Sequence, residues 1–440
     1  MTGRLIPAPP GAVLMWTIAT MLAVPALAAG QTQPEPSVTL QEAVDRALQV
    51  SPTMVQQQGA VQMAESSERV AVGDFIPSLS FSTGGSYSSQ TRFNPTTNTT
   101  TSGSSESYNA RLSTGVDLFT GFRRFAQLRQ ARAEVDAAQA AVVEQRFNVA
   151  LQTRTTFFNV LRNDDLVRIS EERIEQAQQS LQAAVLRMNA GSATRSDSLR
   201  AQLELNRARQ QLLSAHNARR DAAYSLGALI GYQGPVSARV EAPLAPRPLA
   251  MSDDELFTLV LAQSPAVQTA LADVRSSEAG LSSSRSQWYP TVSLSGSYTW
   301  NNQQLSLSRG TTSWSTGLNL SYPLFNGFSR EDANERAEVG LQISRAQLDD
   351  QQRQVRVTLD RVLNNVRLAE QQITLTEEAQ QVAQEDLRVV SARYALGAAT
   401  ILDQITSQVA VTQAGIDLIA ARYDYQIARA QLEALVGREL

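Results

Sequence analysis

Side chains that could catalyse a reaction or bind a metal ion are scarce in this chain of 440 residues. There is no cysteine, and the only histidine is His216. Without cysteine, disulfides, thiolate metal sites and thiol catalysis are excluded. A single histidine gives no basis for a zinc hydrolase or a His-based catalytic triad. The sequence therefore predicts no enzyme, no cofactor and no metal site.

Two acidic residues recur at matching positions and could act through their charge. Asp197 follows Gly191 by six residues, and Asp403 follows Gly397 by six. A carboxylate in the first turn of a helix is favoured by the helix dipole, so a structural role alone would explain both. The net charge of −4 gives no basic footprint for nucleic acid.

These acids follow two very long predicted helices. Residues 122–188 contain neither Gly nor Pro, and residues 328–394 contain a single Gly. At about 1.5 Å per residue, each helix would be roughly 100 Å long. Apolar residues recur every seven positions, with one step of eleven, which predicts packing against other helices along the whole length. The two seams are Val135, Val142, Val149, Val160, Val167, Ile174, Leu181, Met188 and Leu341, Leu348, Val355, Val366, Ile373, Leu387, Tyr394.

The second seam lies 206 residues after the first, which indicates an internal duplication. In each half the long helix ends at a Gly, as a left-handed C′ position favours, and a return helix follows. The predicted division is a signal peptide at 1–28, an N-terminal lead at 29–38, repeat 1 at 39–231, a linker at 232–251 and repeat 2 at 252–437. The repeats contain strand pairs at about 76–118 and 290–323, and long hairpins at 120–230 and 327–436.

The strand pairs are predicted from strict alternation. Leu79 and Phe81 face one way while their serine neighbours face the other, and a Thr/Asn/Ser-rich loop is expected at 91–107. A soluble sandwich would also bury one apolar face. Strands of about ten residues, with Trp and Tyr near their ends and a small hydroxylic second face, favour membrane strands between lipid and a watery lumen.

Four strands per chain cannot close a barrel, and an open edge in lipid would leave backbone groups unpaired. Because single-chain barrels begin at about eight strands, several copies must share one barrel. Three copies, with twelve strands, are the simplest assembly that leaves a lumen. Residues 52–74 and 195–230, placed end to end, match one long helix in length, so the helices would continue the barrel as a tube.

The N-terminus has the pattern of a secretory signal. Arg4 supplies the positive charge, residues 12–24 the apolar core, and residues 25–28 a small-residue cleavage site. No run of 18 apolar residues follows, so no transmembrane helix is predicted after it.

The duplicated order of helix, strand pair and long hairpin carries a resemblance. LFTGF (118–122) and LFNGF (324–328) join each strand pair to its long helix, and RMNAGSATRSD and RYALGAATILD form the tips of the two long hairpins. Over about residues 38–437 the chain resembles the TolC-like outer membrane efflux protein family, the outer membrane factors. The resemblance implies a mainly α fold with a membrane β-barrel segment: a trimeric 12-stranded outer membrane barrel continued by a long periplasmic α-helical barrel.

The resemblance also implies function and partners. Such channels are passive ducts of tripartite efflux or type I secretion systems. They are homotrimers in outer membrane lipid, with a large periplasmic portion. They dock onto a periplasmic adaptor, also called a membrane fusion protein, and onto an inner-membrane pump.

The resemblance implies a gate at the hairpin tips. Asp403 matches the acid that forms a ring around the closed pore entrance. Tyr394 matches a tyrosine that hydrogen-bonds to the acid at the position of Asp197, and this bond constricts the pore entrance. The turns match adaptor-docking turns, although helix capping alone would also explain them; the residues are Gly191, Ser192, Thr194, Gly397, Ala398 and Thr400.

Two positions depart from the family pattern. Thr406 replaces a second acid, so one acidic layer is expected, and Ala399 replaces a basic residue that would make a further link. Arg195 is the candidate to substitute for that base.

Two other functions compete with the duct. A periplasmic coiled-coil adaptor would need lipoyl-like and β-domain segments, which the sequence lacks. A trimeric coiled-coil surface scaffold or adhesin with a membrane barrel anchor is not excluded by the strands alone.

Overall fold

The computed structural model describes residues 35–240, 251–306 and 308–438. The predicted signal peptide at 1–28 lies outside the described residues, as do 29–34 of the predicted lead and 241–250 of the predicted linker. Within the described part of the chain, no helix combines the length and the apolar character that crossing a membrane requires.

The chain contains eight α-helices and six strands among the described residues, in two similar series. The helices are α1 (Leu40–Val50), α2 (Pro52–Gly73), α3 (Arg123–Asn189), α4 (Arg195–Leu229), α5 (Asp253–Gln263), α6 (Pro265–Arg285), α7 (Ser329–Ala395) and α8 (Ile401–Val436). The strands are β1 (Ser37–Val38), β2 (Ser78–Asn94), β3 (Thr99–Phe119), β4 (Ser237–Ala238), β5 (Thr291–Asn302) and β6 (Thr311–Ser321). This confirms the predicted mainly α fold with four long strands per chain in two repeats.

The long helices α3 and α7 contain 67 residues each, and the predicted seams face inward. Val149 and Val160 of α3 are buried on both sides of the eleven-residue step, and so are Val355 and Val366 of α7. The helices persist because their interiors consist mainly of strong helix formers and because the seam is packed along its length.

The shorter helices lie end to end along the long ones. In the first half of α3, Gln145 donates to Thr53 of α2 at 2.8 Å. Further along α3, Asp164 accepts from Arg219 of α4 at 2.5 Å. Helices α6 and α8 pack against α7 in the same way, and both also pack against α3. Each long helix is therefore matched by a composite strut of two shorter helices.

The sheet has the order β2-β3-β5-β6, with every neighbouring pair antiparallel. Its two faces differ sharply along rows that cross all four strands. One row is apolar or aromatic: Phe81, Leu112, Tyr298 and Trp314. The adjacent row, on the other face, is Ser80, Ser113, Ser297 and Ser315, whose hydroxyls pair at 2.8 and 3.0 Å. Strands β2 and β6 are the two edges of this sheet.

The prediction of a loop at 91–107 is wrong. Strand β2 continues to Asn94, β3 begins at Thr99, and a tight turn with Asn98 at φ 50° joins them. The strands therefore have 17 and 21 residues rather than about ten, whereas β5 and β6 have 12 and 11. Paired hydroxyl and β-branched side chains, such as Ser88 and Ser105 at 2.9 Å, suit a two-stranded ribbon despite their loop-like composition.

Candidate functional site at the hairpin tips

The two hairpins end in turns of the same geometry. Gly191 and Gly397 adopt left-handed φ values of 76° and 77°, as the predicted C′ positions require. The N–H of Ser192 donates to the Arg187 carbonyl at 2.9 Å, and the N–H of Ala398 donates to the Arg393 carbonyl at 2.8 Å. These bonds close the carboxyl ends of α3 and α7 in the same way.

Each return helix begins with a capping box. The carboxylate of Asp197 accepts from the N–H of Thr194 at 2.9 Å and from its hydroxyl at 2.8 Å. The carboxylate of Asp403 accepts from the N–H of Thr400 at 2.8 Å and from its hydroxyl at 2.7 Å. The threonines cap the helices by accepting from the acids' own N–H groups in return.

The caps also fix the charge of the two acids. The backbone N–H of Thr194, and then its hydroxyl, lower the pKa of Asp197, with a further contribution from Arg200. The corresponding groups of Thr400, followed by Arg393, lower the pKa of Asp403. Hydrogen bonds to the ionised form stabilise it, so both tips carry a persistent negative charge.

An apolar cluster joins the two tips. It contains one buried residue from each of the four long elements: Ala184 of α3, Ala201 of α4, Tyr394 of α7 and Ile401 of α8. The predicted docking residues lie outside this cluster and are all exposed: Gly191, Ser192, Thr194, Gly397, Ala398 and Thr400. The tips thus combine a packed interior with an accessible rim.

The hydrogen bond expected between Tyr394 and Asp197 is not formed. The Tyr394 hydroxyl is buried and has no partner among the described residues, while Asp197 is bound by the cap of its own helix. Arg195 makes no side-chain bond to either acid within the part of the chain that the structure describes. The Thr406 hydroxyl donates to the carbonyl of Leu402 at 2.8 Å, in its own helix.

The side chain that does contact Tyr394 is Arg187, which sequence reasoning missed. Its guanidinium carbon lies 4.5 Å from the centroid of the Tyr394 ring, and Nη1 donates to the Tyr394 carbonyl. The available signal was a basic residue in the last turn of both long helices, Arg187 and Arg393. Its target on the other hairpin could not be read from that pattern.

Two open cavities lie far from the tips, beside the first half of α6. They have volumes of about 500 and 650 Å³ and share Glu144 in their lining. The second is also lined by Asp350 and by Asp273, whose pKa is raised by burial. Among the described residues, no three His, Asp or Glu side chains converge on a point where a metal ion could bind.

Comparison with known proteins identifies the family. The model of the outer membrane efflux protein family matches residues 43–232 and 256–438. Protein CyaE of Bordetella pertussis is 30% identical over 71% of this chain. The match covers 65% of the length of CyaE. Alkaline protease secretion protein AprF of Pseudomonas aeruginosa is 24% identical, and the match covers 76% of this chain and 70% of the length of AprF.

The fold has close counterparts among solved structures. The open state of the Neisseria gonorrhoeae MtrE outer membrane channel superposes with a TM-score of 0.78 at 17% identity, covering 91% of this chain and 89% of that one. The matched family consists of outer membrane efflux proteins and not of enzymes, and it places the chain in the outer membrane. The two matched segments together span most of both repeats, and the chain therefore belongs to the outer membrane efflux protein family.

Proposed function

We propose that this protein is the passive export duct of a tripartite efflux or type I secretion system. Three copies share a twelve-stranded barrel in the outer membrane, and their helices form a tube in the periplasm. The tips form a gate that opens when a periplasmic adaptor and an inner-membrane pump dock there. The pump supplies the energy for export.

The sheet carries this proposal. Its apolar row is exposed in the single chain: Phe81 is 69% exposed and Trp314 is 76% exposed. Edges β2 and β6 leave backbone groups unpaired, which lipid does not tolerate. Pairing β6 of one copy with β2 of the next satisfies both edges and turns the apolar row to lipid and the serine row to the lumen.

A stripe on α7 supports assembly with further copies. We call it the α7 stripe: Leu368, Leu375, Val382 and Val389 of α7, continued by Leu396 directly after the helix. These residues are spaced by seven and are between 41% and 86% exposed. Heptad spacing is typical of helices that pack against a neighbouring helix. The proposed neighbour is another copy of this chain, whose α4 exposes Leu199, Leu203 and Leu213.

The tips support the gate and the docking site. Asp403 is exposed and ionised in each copy, so three copies around the tube axis form the acidic entrance. Tyr394 and Asp197 are the other gate residues. The proposed adaptor-docking surface consists of exposed residues of the two turns: Gly191, Ser192, Thr194, Gly397, Ala398 and Thr400. The name of the relative AprF, an alkaline protease secretion protein, agrees with a role in export.

We also propose the chain division given by the sequence. It comprises a signal peptide at 1–28, a lead at 29–38, repeats at 39–231 and 252–437, and a linker at 232–251. The parallel pairing of Ser37–Val38, at the end of the lead, with Ser237–Ala238 supports the start of the linker at this point of the chain.

The test combines assembly with conductance. Full-length protein is purified from outer membranes in detergent, its mass is measured, and it is inserted into planar bilayers beside Asp403→Ala. We expect a mass of three chains, a small cation-selective conductance and reduced selectivity in the variant. Leu375→Asp should dissociate the trimer because it places a charge in the α7 stripe. Thr374→Asp adds the same charge one residue away and is the control.

The alternative outcomes separate the competing functions. Well-folded trimers that never conduct would refute the duct and favour the surface scaffold. Conduction that is indifferent to Asp403→Ala would keep the duct and remove Asp403 from the gate.

A further inference from the structure

The guanidinium of Arg187 lies against the second hairpin rather than its own. It stacks on the Tyr394 ring at 4.5 Å and donates to the Tyr394 carbonyl. A Cβ atom at Gly397 would stand 3.5 Å from its Nη2, so the guanidinium also borders the turn. One side chain of repeat 1 thus contacts the ring, the main chain and the turn of repeat 2. We call Arg187, Tyr394 and Gly397 the tip clamp.

Each contact is attractive for a physical reason. A guanidinium over an aromatic face interacts with the ring quadrupole, and a positive charge is favoured at the carboxyl end of a helix. The Tyr394 carbonyl also accepts from the N–H of Gly397 at 3.0 Å, so guanidinium and turn share one acceptor. Within the described residues no carboxylate pairs with Arg187, so its charge acts on this ring and this carbonyl.

The other repeat shows that these contacts are not ordinary capping. Arg393 lies 206 residues after Arg187, at the same position in α7. It is exposed and donates to the carbonyl of Ala398 in its own turn at 3.3 Å. The counterpart of Tyr394 in repeat 1 is Met188, which offers no aromatic face. At this position Arg187 of repeat 1 contacts the second hairpin, whereas Arg393 of repeat 2 contacts its own turn.

The hydroxyl of Tyr394 does not hold the residue in place. Tyr394 is 8% exposed, and its hydroxyl has no partner among the described residues. What fixes the residue is its ring, packed against the tip cluster and covered by the guanidinium, together with its carbonyl.

We infer that Arg187 is a positioning residue that holds the second hairpin tip in its closed place. The inference rests on the proposed gate. Because the clamp includes Gly397, in the proposed docking turn, a partner that moves this turn draws the Tyr394 carbonyl and ring away from the guanidinium. Arg187 thereby couples docking to opening.

The experiment compares four full-length trimers: wild type, Arg187→Gln, Arg187→Lys and the matched control Arg393→Gln. Two quantities are measured: the closed-state conductance in planar bilayers, and hydrogen–deuterium exchange of the Gly397 and Ala398 amides in detergent. We expect Arg187→Gln to raise both by about tenfold, since it removes a cation–π contact and a charge-assisted hydrogen bond. Arg393→Gln removes an exposed bond to Ala398 within its own turn, so it should raise the exchange much less and leave the conductance unchanged. Arg187→Lys should restore part of each quantity because the cation is kept.

Each result decides the inference. The inference is overturned if the exchange of Arg187→Gln equals that of wild type or of Arg393→Gln. It is also overturned if the exchange of Arg187→Gln rises but its conductance does not, provided that Asp403→Ala still lowers the selectivity of the trimer. If no trimer conducts, the proposed duct fails instead. The exchange then decides the clamp alone: a rise clearly larger in Arg187→Gln than in Arg393→Gln supports it, and equal exchange in the two variants overturns it.

Discussion

The carboxylate of Glu433 in α8 is paired with the guanidinium of Arg154 in α3, and this ion pair joins the two repeats. The side chains are only 10% and 18% exposed, and Arg429 lies 3.5 Å from the other carboxylate oxygen. A buried pair of this kind is costly to break because the remaining charges stay in the interior.

Glu433→Gln should therefore destabilise the protein by about 3 kcal/mol, since it leaves two arginines without their shared carboxylate. The measurement is chemical unfolding followed by circular dichroism at equal protein concentration. Glu338→Gln is the control: its pair with Arg285 is 45% and 59% exposed and should contribute less than about 1 kcal/mol. Equal losses in the two variants would contradict the role of burial.

The pH dependence of cation selectivity should depend on Thr400. The backbone N–H of Thr400 and then its hydroxyl lower the pKa of Asp403, so its negative charge is present above that lowered value and is lost only as the pH falls through it. Thr400→Ala removes the hydroxyl and weakens the cap, which raises the pKa of Asp403 toward its ordinary value. Selectivity, measured as reversal potential in a salt gradient, should then fail at a higher pH than in wild type.

Thr194→Ala is the matched variant in the other repeat. It removes the same kind of donor from Asp197, not from Asp403. If it shifted the pH dependence as much as Thr400→Ala does, the selectivity could not be assigned to Asp403.

Much of the helical architecture could be predicted from the sequence because it is encoded locally. The heptad seams with their eleven-residue step have buried members such as Val160 and Val366, and the turn glycines Gly191 and Gly397 have the left-handed backbone that their positions predict. Composition was misleading at 91–107, where Ser, Thr and Asn are typical of loops. There, pairing between β2 and β3 determines the structure, and pairing is a property of two segments together.

The tip was predictable in position but not in its contacts. The acids Asp197 and Asp403 lie in the first turns that the sequence assigns to them, and each is bound by its own threonine cap. Which side chain would meet Tyr394 depends on how two hairpins 206 residues apart are placed against each other. No local pattern contains that placement, and it selects Arg187 rather than Asp197.

Tyr394→Phe should be tolerated. It removes a buried hydroxyl without a partner among the described residues and keeps the ring under Arg187, so stability should be unchanged or raised by about 1 kcal/mol. Conductance should stay at the wild-type level. Tyr394→Ala, in contrast, removes the ring from the tip cluster and should raise the closed-state conductance.

The double variant Tyr394→Phe with Asp197→Ala tests the hydrogen bond that the family resemblance implies. Single-channel recording should show it to behave like Asp197→Ala alone. A conductance as high as that of Tyr394→Ala would show instead that the hydroxyl holds the gate in the assembled trimer.

The two faces of the sheet should respond in opposite ways to the same charge. Leu112 belongs to the apolar row with Phe81 and Trp314, whereas its chain neighbour Ser113 belongs to the serine row. Leu112→Arg places a charge in lipid and should cost about 2 kcal/mol or more, lowering the yield of folded trimer in outer membranes. Ser113→Arg points into the proposed lumen and should leave the yield intact while it reduces cation selectivity. Equal yields would mean that the apolar row does not face lipid, because lipid would penalise the arginine on that face and not the one in the lumen.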